Sequence, residues 1–286
     1  MKLASYLYKE RESFGLVIDD GLYDLTERVP SGAKSLVAVL AEDQLAVVRE
    51  VCAAAVKEIS LDQVVLLPPV VRPGKIWCVG VNYRNRAGEV DQAAEPKYPS
   101  LFMRTPKAQV GHLQSILKPC ESDQLYYEGE IAIIIGRGGR RISEDDALNH
   151  IAGYACFNEG SLKDWMTHGV YNVTAGKNFD ASGGFGPWMT TADEISDPTA
   201  MRLQTRVNGV TVQDDTTANM IAPFSRLISY ISTFSRLEPG DVIVTGTPTG
   251  SGAKRKPPHW LKPGDIVEVE VDGVGILRNA VATEAP

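Results

Sequence analysis

The stretch YYEGEIAIIIG, residues 126–136, constrains this chain more than any other. The apolar run Ile131–Ile135, closed by Gly136, has the length of a strand bound for the core. Two glutamates nevertheless stand at its mouth. Side chains at i and i+2 of a strand leave from one face, so Glu128 and Glu130 point together, roughly 7 Å apart along the backbone. Two like charges so placed repel unless something positive lies between them.

The chain has 286 residues and is 43% hydrophobic, enough to bury a core as one large domain or as a small domain joined to a larger one. A net charge of -7 gives no electrostatic footprint for nucleic acid, and no lysine-arginine run suits anionic lipid. A small-molecule partner is expected instead. Cys52, Cys78, Cys120 and Cys156 lie far apart with no Cys-x-x-Cys, which fits reduced thiols better than a zinc site or a disulfide scaffold. Charges interrupt the N-terminal stretch MKLASYLYKERESFG, and no apolar run approaches the length of a membrane span, so the expected location is the cytoplasm.

Residues 1–70 read as a small N-terminal α/β unit: a hairpin around Asp20-Gly21, then a helical stretch from about Ala33 to Ile59. The prolines of LLPPVVRPGK make an extended connector, placing the boundary near Pro68–Pro73 and a larger unit at 71–286. That unit carries hairpin signals at Asn208-Gly209 and Asp272-Gly273, and Pro-Gly turns at Pro239-Gly240 and Pro263-Gly264. Helices are expected after the Ser143 cap, through ALNHIAGY, and over APFSRLISYISTF, where Phe224, Leu227, Ile228, Ile231 and Phe234 share a face. Strands joined by both hairpins and helices make the fold class mixed α+β.

EIAIIIGRGGRRISEDDALNHIAGYACFNE has the outline of a dinucleotide site, strand then glycines then helix then an acid. The fingerprint fails where Arg141 stands in place of the third glycine, and the helix expected after Ser143 starts too late to meet a phosphate held at Gly136 and Gly138. Glu159 serves another purpose better. It ends the strand IAGYACFNE, and if that strand lies beside the one carrying Glu128 and Glu130, three carboxylates converge. Oxygen ligands without histidine or cysteine select a hard cation, magnesium or manganese. Spacing alone leaves open the plainer alternative of two glutamates on a wet strand end.

From about Lys75 to Val281 the chain resembles the fumarylacetoacetate hydrolase family, through KIWCVGVNYRNRAGEV, PSLFMRTP, YEGEIAIIIGR, FNEGSLKDW, GKNFD, GPWM, RVNGVTVQDDTT and LEPGDVIVTGTPTG in order. The resemblance implies a β-roll catalytic domain behind a small N-terminal domain, a homodimer, and one magnesium or manganese ion per subunit held by Glu128, Glu130 and Glu159. It implies a keto-acid substrate contacted by Lys177, Arg104, Gly246 and Thr247. The expected reaction is hydrolysis of a carbon–carbon bond in a β-diketo acid of the acylpyruvate type, in catabolism of aromatic compounds or sugar acids. The alternatives are decarboxylation of oxaloacetate, isomerisation of an unsaturated keto acid, or a non-catalytic metal-binding relative.

Departures from the family pattern sharpen the question. Members usually carry Asn-Tyr-x-x-His-x-x-Glu in a lid, where the histidine and glutamate activate water, but here the stretch is NYRNRAGE. Arg86 replaces the histidine and Glu89 remains. On a helix the two stand at i and i+3, where a guanidinium would lower the carboxylate's pKa and weaken it as a base. Arg86 is then expected to act on the substrate, binding a distal carboxylate. Glu159 replaces the usual aspartate, and Met166 a frequent glutamine, with His168 nearby as a candidate to compensate.

Overall fold

The structure, a computed structural model, describes residues 1–89, 96–169 and 173–285, with the backbone alone at 87–89. In chain order the first elements are β1 (Lys2–Tyr8), β2 (Arg11–Ile18), β3 (Gly21–Asp24), α1 (Leu36–Ala41), α2 (Leu45–Val51), β4 (Ile59–Ser60) and β5 (Val65–Leu66). Next come β6 (Ile76–Gly80), β7 (Ser100–Met103), β8 (Gln109–Val110), β9 (Ile116–Lys118), β10 (Leu125–Tyr126), β11 (Gly129–Ile135), β12 (Ile151–Asn158), β13 (Ser161–Leu162) and α3 (Val173–Lys177). The last are β14 (Gly183–Thr191), β15 (Arg202–Val207), β16 (Val210–Thr216), α4 (Phe224–Phe234), β17 (Val242–Val244), β18 (Ile266–Val271) and β19 (Gly275–Thr283). Strands dominate and helices are few, a mixed α+β architecture.

One sheet runs β4-β3-β2-β1-β14-β12-β11-β17-β6-β7, with β5 on β1 and β8 on β14. A second runs β16-β15-β18-β19-β9, and β10 pairs with β13 alone. The opening stretch forms β11, at the middle of the large sheet and buried along its whole length. Its two faces serve two cores. Ile131, Ile133 and Ile135 pack with Leu227, Ile228 and Ile231 of α4 and with Val269 and Leu277 of the second sheet. Ala132 and Ile134 pack with Leu3, Phe14, Leu36 and Val39 from the N-terminal part. Burial on both sides explains why the strand reads as a continuous apolar run instead of an alternating one. The N-terminal strands join this sheet directly, Leu3 opposite Met189.

Several local expectations change on contact with the tertiary structure. The helix expected from Ala33 to Ile59 is two short helices, because Asp43 adopts the left-handed conformation (φ 53°) after the Glu42 cap of α1, and Ile59 is drawn into β4 against Leu22. No α-helix follows Ser143. Its carbonyl and hydroxyl cap only a turn at Asp146, a single 3₁₀ turn spans Ala147–His150, and Ile151 onward becomes β12 because β11 and β14 supply partners on both sides. The first hairpin turns through Asp19-Asp20, one residue earlier than expected, with Ile18 opposite Gly21. The last turns through Asp272–Val274, since Val271 pairs with Gly275. Asn208 and Gly209, both at positive φ, form the expected two-residue turn, and Gly240 and Gly264 take the positive φ of the expected Pro-Gly turns. β11 and β12 pair antiparallel, which disposes of the dinucleotide outline.

Among the described residues no helix is long and apolar enough to cross a membrane. The corner between β12 and β13 is packed to the limit. A Cβ on Gly160 would lie 1.7 Å from the Ser182 carbonyl oxygen, a backbone atom immediately before β14. Gly160→Ala is therefore expected to lower stability by about 1–3 kcal/mol, the usual cost of overpacking. Urea denaturation reads it; an unchanged midpoint would mean that this corner yields.

Candidate metal and substrate site

Three strand ends build the site. Glu128 immediately precedes β11 and Glu130 lies within it, so the shared face expected from their spacing is realised, and both line one cavity. Glu159 follows β12, and its N–H donates to the Glu128 carbonyl at 2.8 Å, continuing the pairing of the two strands. The three carboxylates are 2% exposed each. They do not sit on a wet strand end. The cavity measures about 490 Å³ and is also lined by Arg86, Leu101, Phe102, Tyr126, Lys163, Met166, Lys177, Thr247 and Lys254, among others.

Two cations reach these acids from distant parts of the chain. Lys177, at the end of α3, donates to Glu159 Oε2 at 2.6 Å and also bonds Glu128 Oε2. Arg86 Nη2 donates to Glu128 Oε1 at 2.6 Å, while its Nη1 faces the Thr247 and Pro248 carbonyls at 3.4 and 3.5 Å. Burial alone would raise the Glu128 carboxyl, but Lys177 and Arg86 outweigh it and bring it down to about 2. Glu130 moves the other way. Burial, together with the negative charges of Glu159 and Glu128, pushes it well above the usual range, although Lys177 and the Gly246 N–H at 2.6 Å oppose the shift. Burial would lower the Lys177 pKa, but Glu128 and Glu159 hold it above the ordinary lysine value.

Among the described residues no three acidic, histidine or cysteine side chains are drawn together as a finished metal-ligand set. The Lys177 ammonium stands between Glu128 and Glu159. Two observations nonetheless fit these oxygens to a hard divalent cation. Glu159 Oε1 is buried with no hydrogen-bond partner. The cluster also sets three carboxylates against two cations, an imbalance that adds to burial in raising Glu130. Glu128, Glu130 and Glu159 are the residues that would hold such an ion.

The other expected site residues divide. Lys177 is in place. Thr247 lines the cavity, but its hydroxyl donates to the Gly129 carbonyl at 2.7 Å and accepts from Gln213 Nε2 at 2.8 Å. The Gly246 N–H goes to Glu130 instead of a ligand, and its φ of 98° with a Cβ position 2.7 Å from Asn82 Cβ makes glycine obligatory there. Arg104, expected on the substrate, lies behind the site. It is 3% exposed and donates to the Gly160 carbonyl and Ser182 Oγ, holding the corner after Glu159. Arg86, expected to face the substrate, is instead tied to Glu128 by one ion pair and lies close to two carbonyls. The Glu89 side chain lies outside the described residues. His168 is exposed, rests on the Trp165 ring at 4.4 Å, and is absent from the cavity lining.

Sequence reasoning missed Tyr126, Ser161 and Lys163. Ser161 Oγ donates to the Glu159 carbonyl at 2.8 Å and stands 3.3 Å from Glu128 Oε2. Among the described residues Tyr126 Oη meets only the Met166 sulfur, at 3.5 Å, and burial first, then Glu128, pushes its phenol up to about 12. Counting in twos back from Glu128 and forward from Glu159 reaches all three.

Residues 75–282 match the family described as Fumarylacetoacetate (FAA) hydrolase C-terminal. The mitochondrial oxaloacetate tautomerase Fahd2a of Rattus norvegicus is 37% identical over 266 residues, covering 92% of this chain and 85% of that protein. The fumarylacetoacetate hydrolase from psychrophilic Exiguobacterium antarcticum superposes with a TM-score of 0.84 at 33% identity, covering 99% of this chain and 100% of that one. Maleylpyruvate hydrolase from Sphingobium sp. SYK-6, solved with manganese(II) and pyruvate, superposes with a TM-score of 0.83 at 26% identity over 100% of both chains.

Lys177→Met leaves two buried carboxylates short of a counter-charge and should cost about 3–5 kcal/mol in metal-free protein. Manganese should recover much of that loss; thermal melts with and without the ion check it, and an ion-independent melt would contradict the cation site. Glu128 is depressed from 4.5 to about 2, so it stabilises the fold above about pH 4.5 and that contribution is lost as pH falls towards 2. The stability gap between wild type and Glu128→Gln, read by urea titration without metal, should therefore shrink on acidification. A gap unchanged from pH 7 to 3 would contradict the ion pairs.

Proposed function

This chain belongs to the fumarylacetoacetate hydrolase family, and from that premise we propose that it interconverts the keto and enol forms of oxaloacetate or a close 2-oxo acid, using a divalent ion held by Glu128, Glu130 and Glu159. The observation that carries the choice is Arg86. A guanidinium tied to Glu128 stands in the lid where a water-activating histidine is usual, and no histidine lines the cavity among the described residues. Tautomerisation needs a proton moved and an oxyanion stabilised, with no attacking water. The relatives named as oxaloacetate tautomerases favour the same reaction.

The chain's own groups suit that task. The ion, magnesium or manganese, supplies Lewis acidity to the keto oxygen when bound. Lys177 Nζ, kept charged by Glu128 and Glu159, adds a fixed positive charge where negative charge develops. Tyr126 Oη, neutral at ordinary pH, can give its proton to the carbon next to the keto group as the enol becomes the ketone and recover one from the enol hydroxyl whose O–H bond breaks, the reverse direction running through the same two transfers. Leu101, Phe102 and Met166 exclude water from the same space. The homodimer and the cytoplasmic placement belong to this same proposal, although the animal tautomerases carry "mitochondrial" in their names.

The second reading is hydrolysis of a carbon–carbon bond in an acylpyruvate, favoured by the likeness to maleylpyruvate hydrolase. One assay separates them. Manganese-loaded protein is expected to speed the decay of the oxaloacetate enol absorbance and to leave acetylpyruvate intact, with chelator abolishing the effect. Cleavage of acetylpyruvate without enol decay would establish the hydrolase reading instead.

A further inference from the structure

Among the described residues four cationic side chains line the cavity: Arg86, Lys163, Lys177 and Lys254. Arg86 and Lys177 are committed to the buried acids, and Lys254 has a contact of its own. Lys163 differs. It is half-buried, it faces the cavity, and among the described residues its ammonium makes no ion pair or hydrogen bond.

Strand geometry shows how it comes to face the acids. Leu125 and Tyr126 of β10 pair with Leu162 and Ser161 of β13, and the Lys163 N–H extends the pairing to the Gln124 carbonyl at 3.1 Å. Leu162 packs into the core beneath, with Leu125, Tyr127 and Leu261. Its neighbours in the strand therefore face the other way. Ser161 stands beside Glu128, and Lys163 lies one two-residue step, roughly 7 Å, farther along the same face. A lysine stem spans a gap of that size.

We propose that Lys163 selects for a second carboxylate, binding the distal end of a 2-oxo dicarboxylate whose 2-oxo acid end lies at Glu128, Glu130 and Glu159. The inference rests on the site being a 2-oxo acid site, as under the proposed function. It takes over the role expected of Arg86, which is held by Glu128. A carboxylate gives the ammonium a charge-assisted hydrogen bond in a partly dry setting. A 2-oxo acid with an apolar tail leaves that ammonium unpaired beside hydrocarbon, which discriminates against it.

Binding tests this apart from turnover. Full-length, manganese-loaded wild type, Lys163→Met and Lys163→Arg are titrated calorimetrically with oxalate, which has no distal carboxylate, and with 3,3-difluorooxaloacetate, which has one and cannot enolise. Lys163→Met should weaken difluorooxaloacetate about tenfold and leave oxalate unchanged, with Lys163→Arg restoring most of the loss. Equal affinity of wild type and Lys163→Met for difluorooxaloacetate overturns the proposal. Equal weakening of both ligands also overturns it, because Lys163 would then only support the fold. Oxaloacetate turnover by the same wild type separates the two claims: turnover without a Lys163→Met binding effect removes the subsite alone, and a binding effect without turnover removes the activity alone.

Discussion

A carboxylate taken out of water costs several kcal/mol unless charges or hydrogen-bond donors replace the solvent. Here three are taken out together, at the mouth of a strand buried along its whole length. Much of the surrounding architecture answers that cost. Arg86 comes from the 3₁₀ segment Arg84–Glu89, Lys177 from α3 and the Gly246 N–H from the loop after β17, each from a part of the chain remote from the acids. With all three ionised, these donors leave one more negative charge than positive, which together with burial is why Glu130 rises, and one oxygen of Glu159 is unmatched. A doubly charged ion reverses that deficit, which is the physical reason for reading the cluster as a metal site.

The large sheet makes such a cluster possible. β11 lies between β12 and β17, so the ends of three strands open on one cavity while apolar packing continues on both faces behind them. Strands fix the carboxylates, and segments outside the strands supply the cations that meet them. Arg86 is the clearest case. Placed against Glu128, it helps to hold that side chain, and under the proposed function it favours movement of a proton over attack by water.

Much of this was legible in the sequence where the physics is local. The period of two put Glu128 and Glu130 on one face, and the positive-φ demands of Asn208-Gly209 and of the Pro-Gly turns gave hairpins and turns where they stand. The helical stripe from Phe224 forms α4 as expected. Expectations failed where distant partners decide. From Ile151 the chain after Ser143 forms a strand because β11 and β14 lie on either side, and the stretch before Ile59 breaks at Asp43 and feeds a sheet edge. Arg104 looked like a substrate ligand because nothing local reveals that Gly160 and Ser182 enclose it. Lys163 escaped attention for the opposite reason: its position follows from simple alternation, but only once Leu162 is known to point into the core.

The central claim is that Glu128, Glu130 and Glu159 share one divalent ion. Anomalous diffraction from a crystal soaked in manganese measures this most directly. The charge balance predicts a single strong peak per chain within coordination distance of oxygens from all three side chains. A peak elsewhere, or none while Lys177 still bridges Glu128 and Glu159 at saturating manganese, would contradict it.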